Sequence, residues 1–497
     1  MPGADKPTME MPTVRTRAGL ARGVRRGAVT AFHAVPYAAP PVGPLRFAPP
    51  QPVPVWQGVR DCARTGMSPP QNASRLDAVM GIAAFEQSED CLHLDIWTPA
   101  SDGARRPVMV WLHGGAYMSG GGSQPFYTGS HLAERGDMVV VTVTYRLGAL
   151  GYLYLPDIEA GGGAPANRGL LDQIAALRWI RDNIQAFGGD PDRVTVAGQS
   201  AGGGALFGLL SSPLASGLLH RGIVQSAPSA SLDLHQARGI ASLFFEKAGL
   251  REGDVQALRA LDVKSILAAQ AAVVMAFAQR PGRLLPWQLV CGLPELPRTP
   301  STAAAEGASL HIPLMLGWTL DEMHAWHAQD ARMTDATGLA ELKVLPPAIG
   351  LPDASLARIE ARIAGGLTPW HALSEELTEY VFGSAAKTVA DGRAALGGET
   401  WVYRFDWKPA PDARYGACHC IEIPFVFGNI DCWPCAPMLD GANPAEMRAV
   451  TKAVQSAWVD FCHGRTPGWP DRRTASDAMM LFDTSSGPIS SALVHGG

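Results

Sequence analysis

Stretches in which almost every side chain is apolar or β-branched recur along this chain and set its architecture. Val108-Met109-Val110-Trp111-Leu112 and Met138 to Tyr145 have the pattern of strands buried on both faces of a mainly parallel sheet. Glu89-Asp90-Cys91-Leu92 instead opens an alternating run to Trp97, which predicts a half-buried strand. From Gly169 to Phe187 the period changes: Leu170, Leu171, Ile174, Leu177, Ile180, Ile184 and Phe187 recur at spacings of three and four, the pattern of an amphipathic helix. Gly188-Gly189 stops it, and Asp190-Pro191 turns the chain into the next strand. Further strands are predicted at 222–227, 312–317, 401–407 and near 479–483, with helical sequence at about 231–310, 335–395 and 445–463. Strands alternating with helices in this way imply an α/β fold, an open, largely parallel sheet with helices on both faces. No internal repeat or interdomain linker interrupts residues 1–497, so the expectation is a single domain with helical insertions at roughly 231–310 and 321–400.

Two segments break the alternation. Val35 to Phe47 is too rich in proline for a helix or central strand and reads as an ordered surface loop, with Arg46 a candidate partner for Glu89. Gly120-Gly121-Gly122 reads as a mobile turn. Composition then narrows the function. A net charge of −5 without long basic runs gives no electrostatic footprint for nucleic acid. Met1 to Met11 is polar with no apolar signal region, and no run approaches the ~18 residues of a membrane span. A soluble, cytoplasmic protein is the expectation. Eight cysteines then read as reduced thiols. Cys418-x-Cys420 and Cys432-x-x-Cys435 lack the spacing of paired zinc knuckles, so no metal is expected.

The chemistry centres on Val194 to Gly203. A β-branched run leads into Gly198-Gln199-Ser200-Ala201-Gly202, and small-residue helical sequence follows to Leu210. Strand, sharp turn and helix around G-x-S-x-G are the parts of a nucleophile elbow. Glycines two before and two after the serine leave room for neighbouring backbone. The amide of Ala201, at the helix start, points toward negative charge forming beside Ser200 Oγ.

Ligands of such sheets gather at the carboxyl ends of the strands, and hydrolases of this kind order their residues Ser, acid, His. Strand 312–317 runs into Asp321-Glu322, and strand 401–407 is followed by Cys418-His419-Cys420. His419 is the candidate base, with Asp321 and Glu322 both open as the acid. His324 and His327 follow the acid pair and are read as pocket lining only. His113-Gly114-Gly115-Ala116 ends the strand before it, and the amides of Gly115 and Ala116 could join that of Ala201 around an oxyanion, with Gly114 in support.

These residues resemble the type-B carboxylesterase family, α/β-hydrolases that include bacterial para-nitrobenzyl esterases, liver carboxylesterases and cholinesterases. The resemblance spans roughly residues 13 to 485. It rests on Pro36-Tyr37-Ala38, Pro41-Val42-Gly43-Pro44-Leu45-Arg46-Phe47, Glu89-Asp90-Cys91-Leu92 and His113-Gly114-Gly115-Ala116-Tyr117. It continues through Tyr145-Arg146-Leu147-Gly148, Asn167-Arg168-Gly169-Leu170-Leu171-Asp172-Gln173, Phe187-Gly188-Gly189-Asp190-Pro191 and Gly198-Gln199-Ser200-Ala201-Gly202-Gly203. It implies Glu322, second of the acidic pair, as the acid; His419, in Gly416-Ala417-Cys418-His419, as the base; and Ser226 as a hydrogen-bonding support for the acid. It implies hydrolysis of small-molecule carboxylic esters by a monomer or small homo-oligomer with no cofactor, under helical insertions that cap the site. Carbamate or anilide hydrolysis is the close alternative. Non-catalytic interaction members of the family have lost a triad residue, whereas all three are kept here. Trp318, Met323, Trp326 and Phe425, with Gln199, are read as the substrate pocket for aryl or short-to-medium acyl groups.

The chain also departs from the family. Met323 stands in place of a glycine after the acid, Cys291 in place of an aspartate, and Gln199 where cholinesterases carry an acid. Pro69 replaces the cysteine that pairs with the one matching Cys91, so that disulfide is expected to be missing. Without a Trp between 69 and 91 to face a quaternary ammonium, choline esters are poor candidates as substrates.

Overall fold

The computed structural model describes residues 11–82, 84–156, 166–278, 285–331, 333–334, 351–411 and 413–490; the start of the chain and the expected helical stretch 335–350 lie outside them. Among the described residues fourteen strands follow in chain order. They begin with β1 Thr13–Arg15, β2 Leu20–Arg22, β3 Val24–Arg26, β4 Val29–Pro36, β5 Val59–Asp61 and β6 His93–Thr98. The middle of the chain gives β7 Arg106–Leu112, β8 Val139–Val143, β9 Gly189–Gln199 and β10 Arg221–Gln225. The last are β11 Leu314–Thr319, β12 Thr400–Phe405, β13 Ala478–Phe482 and β14 Gly487–Ser490. β1, β2 and β5 make a small sheet, and the other eleven make one large sheet in the order 14-13-12-11-10-9-7-8-6-4-3. Its centre, β8-β7-β9-β10-β11-β12-β13, is parallel throughout, and antiparallel pairs close both sides.

The apolar runs become the central strands because both faces are covered. In β7, Val108, Val110 and Leu112 enter one core cluster while Met109 and Trp111 enter the other. All five side chains are fully buried, each burial stabilising the fold by about 1.5–3 kcal/mol. β6 is buried along its whole length rather than on one face. Its alternating polar residue, Asp95, is drawn inside by His33 Nδ1 (2.8 Å), the amide of Ala34 (2.9 Å) and Ser123 Oγ (2.9 Å). The expected helix runs Arg168–Asn183 and tightens into a 3-10 turn, Ile184–Phe187, before Gly188 at φ 82°. Asp190-Pro191 already belongs to β9, which extends back to Gly189.

Gly120 to Gly122 is pinned rather than mobile. The carboxamide of Gln71 accepts from the Gly120 amide (2.7 Å) and donates to its carbonyl (2.8 Å). Arg46 and Glu89 form the expected pair through two contacts of 2.6 and 2.5 Å.

A second, deeper pair ties the strand-end segment after β8 to the long helix. Arg146 holds Asp172 through Nε (2.8 Å) and Nη2 (2.7 Å), and its own amide reaches the same carboxylate (3.1 Å). Arg146 is 3% exposed and Asp172 fully buried, so removing one partner strands the other's charge in the interior. Asp172→Ala is expected to lower unfolding free energy by about 3–5 kcal/mol, measured by denaturant titration; a loss under ~1 kcal/mol would show that water reaches the guanidinium.

Between β10 and β11 lie the helices Leu234–Lys247, Val255–Ala260, Val263–Ala278 and Pro300–Ala305. Between β11 and β12 lie His324–His327, Asp353–Ala364, Pro369–Thr378 and Ser384–Ala395. The register Leu112↔Gly198, Gln225↔Gln199, Gln225↔Gly317 and Thr319↔Phe405 brings the carboxyl ends of β7, β9, β10, β11 and β12 to one edge. The residues expected to carry chemistry follow these ends.

Candidate active site

Ser200 links β9 to the helix Ala201–Ser211 with φ 56° and ψ −123°, a region that L-residues occupy at a cost of about 1–3 kcal/mol. Its amide donates to the Gln225 carbonyl (2.8 Å) and its carbonyl accepts from Gly204 (2.9 Å), fixing the turn on both sides. The flanking glycines are required. A Cβ on Gly198 would run into the backbone of Gly202, and one on Gly202 into the carbonyl oxygen of Leu112. The amide of Ala201 opens the helix, where the dipole favours negative charge.

His419 and Glu322 are both fully buried, with Nδ1 and Oε2 2.5 Å apart. The other carboxylate oxygen accepts from the Thr319 amide (2.9 Å). Asp321, the other member of the acidic pair, serves a different end. It accepts from the Ala417 amide (2.9 Å) and pairs with Lys408 (3.2 Å), fastening the loop that carries His419. Trp326 and Phe382 flank the imidazole at ring distances of 4.9 and 5.1 Å. Burial alone would lower its pKa, but the Cys420 sulfur and the Glu322 carboxylate together raise it above the ordinary histidine value. At Nε2 the hydrogen-bonded neighbour is Gln199 Nε2 (3.1 Å) rather than Ser200 Oγ.

A second buried carboxyl, Glu422, lies near the His419 imidazole and was not singled out from the sequence. Glu422 accepts from Gln225 Nε2 (2.9 Å) and Tyr403 OH (3.0 Å). Burial pushes its pKa up to about 7, with the Glu322 charge adding to the effect. Its spacing of three after His419 was the available signal. The Ser226 support does not form: Oγ is buried without a hydrogen-bond partner while the Ser226 amide donates to Gly317. At φ 49° the serine follows a backbone bend, and the Thr319 amide occupies the acid's free oxygen instead.

The loop after β7 is held rigidly. His113 stacks on Tyr145 at 4.3 Å, accepts the Tyr145 hydroxyl at its carbonyl (2.7 Å), and contacts the Gly114 carbonyl through Nδ1 (2.8 Å). Burial pushes its pKa down to about 4, so the ring stays neutral. Gly115 (φ 110°) and Ala116 (φ 57°) follow with left-handed backbone, and Ser119 leaves no space for a Cβ at Gly115. Gly114 closes the ring of contacts, its Cα edge lying against Gln199 Oε1 and Ser200 Cβ.

Beside this loop opens a cavity of about 500 Å³, walled by Gln71 to Ser74, Leu76 to Ala78, Met80, Ile82, Ala84, Phe85 and Gln87 and by Gly114, Gly115, Ser119, Gly120, Gln124, Tyr127, Gln199 and Cys420. Of the expected pocket residues only Gln199 lines it. Phe425 is wholly inside the core against Phe405 and Trp407 (5.2 and 4.9 Å). Trp318 is buried on β11 beneath Lys387. Met323 packs between two core clusters, and Trp326 faces the imidazole. Trp318 and Phe425 belong to the core, whereas Met323 and Trp326 are only partly buried. His324 and His327 also turn away, toward Trp370 (5.0 Å) and Ser374 Oγ (2.6 Å).

Known proteins match this arrangement over nearly its whole length. The model of the carboxylesterase family matches residues 10–480. The para-nitrobenzyl esterase of Bacillus subtilis is 35% identical over 480 residues, covering 95% of this chain and 94% of that protein. The phenmedipham hydrolase of Pseudarthrobacter oxydans is 34% identical over 495 residues, covering 97% of each. A carboxylesterase structure from Geobacillus stearothermophilus superposes with a TM-score of 0.85 at 33% identity, covering 96% of this chain and 97% of its own. With an α/β-hydrolase sheet, a strained Ser200 between strand and helix and this breadth of similarity, the chain belongs to the carboxylesterase family.

Proposed function

We propose that this protein hydrolyses carboxylic esters through a Ser200–His419–Glu322 triad and a covalent acyl-enzyme. Ser200 Oγ attacks the ester carbonyl while His419 Nε2 takes its proton. Glu322 holds the imidazole in the Nδ1–H tautomer and stabilises its charged form. The amides of Gly115, Ala116 and Ala201 receive the oxyanion, with Gly114 keeping the loop against the elbow. His419 then returns the proton to the leaving alcohol, and water repeats the sequence to release the acid. No cofactor enters. The observation that carries this reading is the 2.5 Å contact of a buried imidazole and carboxylate beside a strained serine at a helix start. The same groups would cleave a carbamate, and a relative named for phenmedipham hydrolysis at 34% identity supports testing that bond too.

We read residues 1–497 as one catalytic domain whose helical insertions cap the site. Cytoplasmic residence and a monomeric or small homo-oligomeric state complete the proposal. Eight free thiols support the first.

The test is hydrolysis of 4-nitrophenyl esters from acetyl to decanoyl, with intact mass recorded during turnover. A nitrophenol burst matched by an acylated Ser200 supports the proposal; turnover without an acylated protein overturns it. The pH profile gives a second check. The base works only when deprotonated, so kcat/KM falls as pH drops through its pKa. With that pKa raised, the acid limb is expected above the ~6.5 of an ordinary histidine, rather than in the pH 6–7 range usual for the residue. A limb below pH 6.5 would show that burial outweighs Glu322 and Cys420.

A further inference from the structure

Cys420 differs from the other buried thiols in what it faces. Of the eight cysteines it is the one that lines the 500 Å³ cavity, a space large enough for a small molecule. At 3% exposure, the sulfur is reached through that cavity rather than from the outer surface. Cys418, two positions earlier, is fully buried, and burial holds its thiol well above the ordinary value, so it stays protonated and out of reach.

The thiol is held beside the base. Cys420 has φ 75°, a left-handed backbone that costs a side-chain-bearing residue about 1–2 kcal/mol, and its carbonyl accepts from the Ile423 amide (3.1 Å). Its sulfur donates to Gln199 Oε1 (3.6 Å), and the nitrogen of the same carboxamide donates to His419 Nε2 (3.1 Å). One amide group therefore spans thiol and base, using both its acceptor and its donor. The sulfur also acts on the imidazole directly: burial lowers the base's pKa, and Cys420 and Glu322 raise it. With Nδ1 held by Glu322, Nε2 is the nitrogen left to take a proton. A thiol next to such an imidazole is the arrangement of an activated sulfur nucleophile.

We propose that Cys420 is a modification site for soft carbon electrophiles, compounds whose C=C bond is conjugated to a carbonyl, and that His419 is the base for their addition. Leu76, Met80, Ile82 and Phe85 on the cavity wall suit the carbon skeletons of such compounds. The sulfur adds to the β-carbon, and a C–S bond forms as the electron pair of the C=C bond moves toward the carbonyl oxygen. The thiol proton passes to His419 Nε2 and from there to the α-carbon. Nothing is oxidised or reduced overall, and no group leaves. The product occupies the space beside Gln199 and stops hydrolysis at Ser200. This site shares only its base with the esterase reading.

The experiment treats the full chain with N-ethylmaleimide, maps the adducts by peptide mass and follows hydrolysis of 4-nitrophenyl acetate in the same samples. Loss of hydrolysis is expected to track the adduct on Cys420 rather than the one on Cys435, which is exposed. Cys420→Ser should keep its own starting activity through a treatment that silences the wild type. Ser200→Ala should take the Cys420 adduct at the wild-type rate, because the addition needs the base and not the serine. Glu322→Gln should slow that adduct by about tenfold or more while Cys435 reacts as before, a difference that a thiol needing no base does not show. An unmodified Cys420 once Cys435 has fully reacted, or an adduct on Cys420 that leaves hydrolysis intact, overturns the site. An adduct forming equally fast in Glu322→Gln overturns the part given to His419. A wild type that hydrolyses no ester overturns the esterase reading instead, and the mapped adduct in Ser200→Ala still decides for or against Cys420.

Discussion

Ser200→Ala is expected to lower kcat on a 4-nitrophenyl ester by about 10⁵-fold, within the 10⁴–10⁶ range for losing the nucleophile of a triad. The residual rate is the share that oxyanion stabilisation and positioning supply to water alone. Stability separates this loss from unfolding. The Ser200 side chain has no hydrogen bond to a described residue, while its backbone bonds to Gln225 and Gly204 remain in the variant. Removing one hydroxyl should therefore change unfolding free energy by less than ~0.5 kcal/mol. A variant that folds normally and retains more than a tenth of the activity would show that the elbow serine is not the nucleophile.

Glu322→Gln is expected to lower kcat by roughly 10³–10⁴-fold, with the chemistry at fault rather than the fold. A carboxamide in place of the carboxylate can offer N–H to His419 Nδ1, which flips the neutral imidazole so that Nε2 carries the proton and cannot take one from Ser200. It also removes the charge that favours the imidazolium in the transition state. The pH profile distinguishes this from a packing defect. Because Glu322 raises the base's pKa, its removal should shift the surviving activity's acid limb downward. A loss below tenfold with an unmoved limb would transfer the acid's role to another group. Glu422 is the candidate to examine then, since it is buried near the same imidazole.

The parts of this molecule readable from sequence are those whose physics is local. The β-branched approach to Gly198, the glycines around Ser200 and the small-residue helix are neighbours in the chain, so the elbow was legible. So were the central strands, because burial on two faces writes a continuous apolar run. What depends on contacts between distant segments was not. Asp321 and Glu322 differ by one position, and only the loop after β12 decides that one fastens a backbone amide while the other faces an imidazole 97 residues away. Phe425 and Trp318 are aromatic near catalytic residues, which fits a pocket as well as a core; packing put both inside. The resemblance carried Ser226 into a supporting role that the Thr319 amide occupies here.

The wall of the cavity beside the His113–Ala116 loop is closed without a covalent link. The wall residues from Gln71 to Gln87 lie between a proline at position 69 and Cys91, a buried free thiol. No covalent clasp closes the segment. It is fastened by Arg46 to Glu89, by Gln71 to Gly120 and by Gln270 reaching Asn72, each a contact that can break and reform. A disulfide would set the width of the chamber for every substrate and tie its integrity to an oxidising environment. Hydrogen bonds and a salt bridge carry no such dependence and leave the chamber's shape indifferent to reductant.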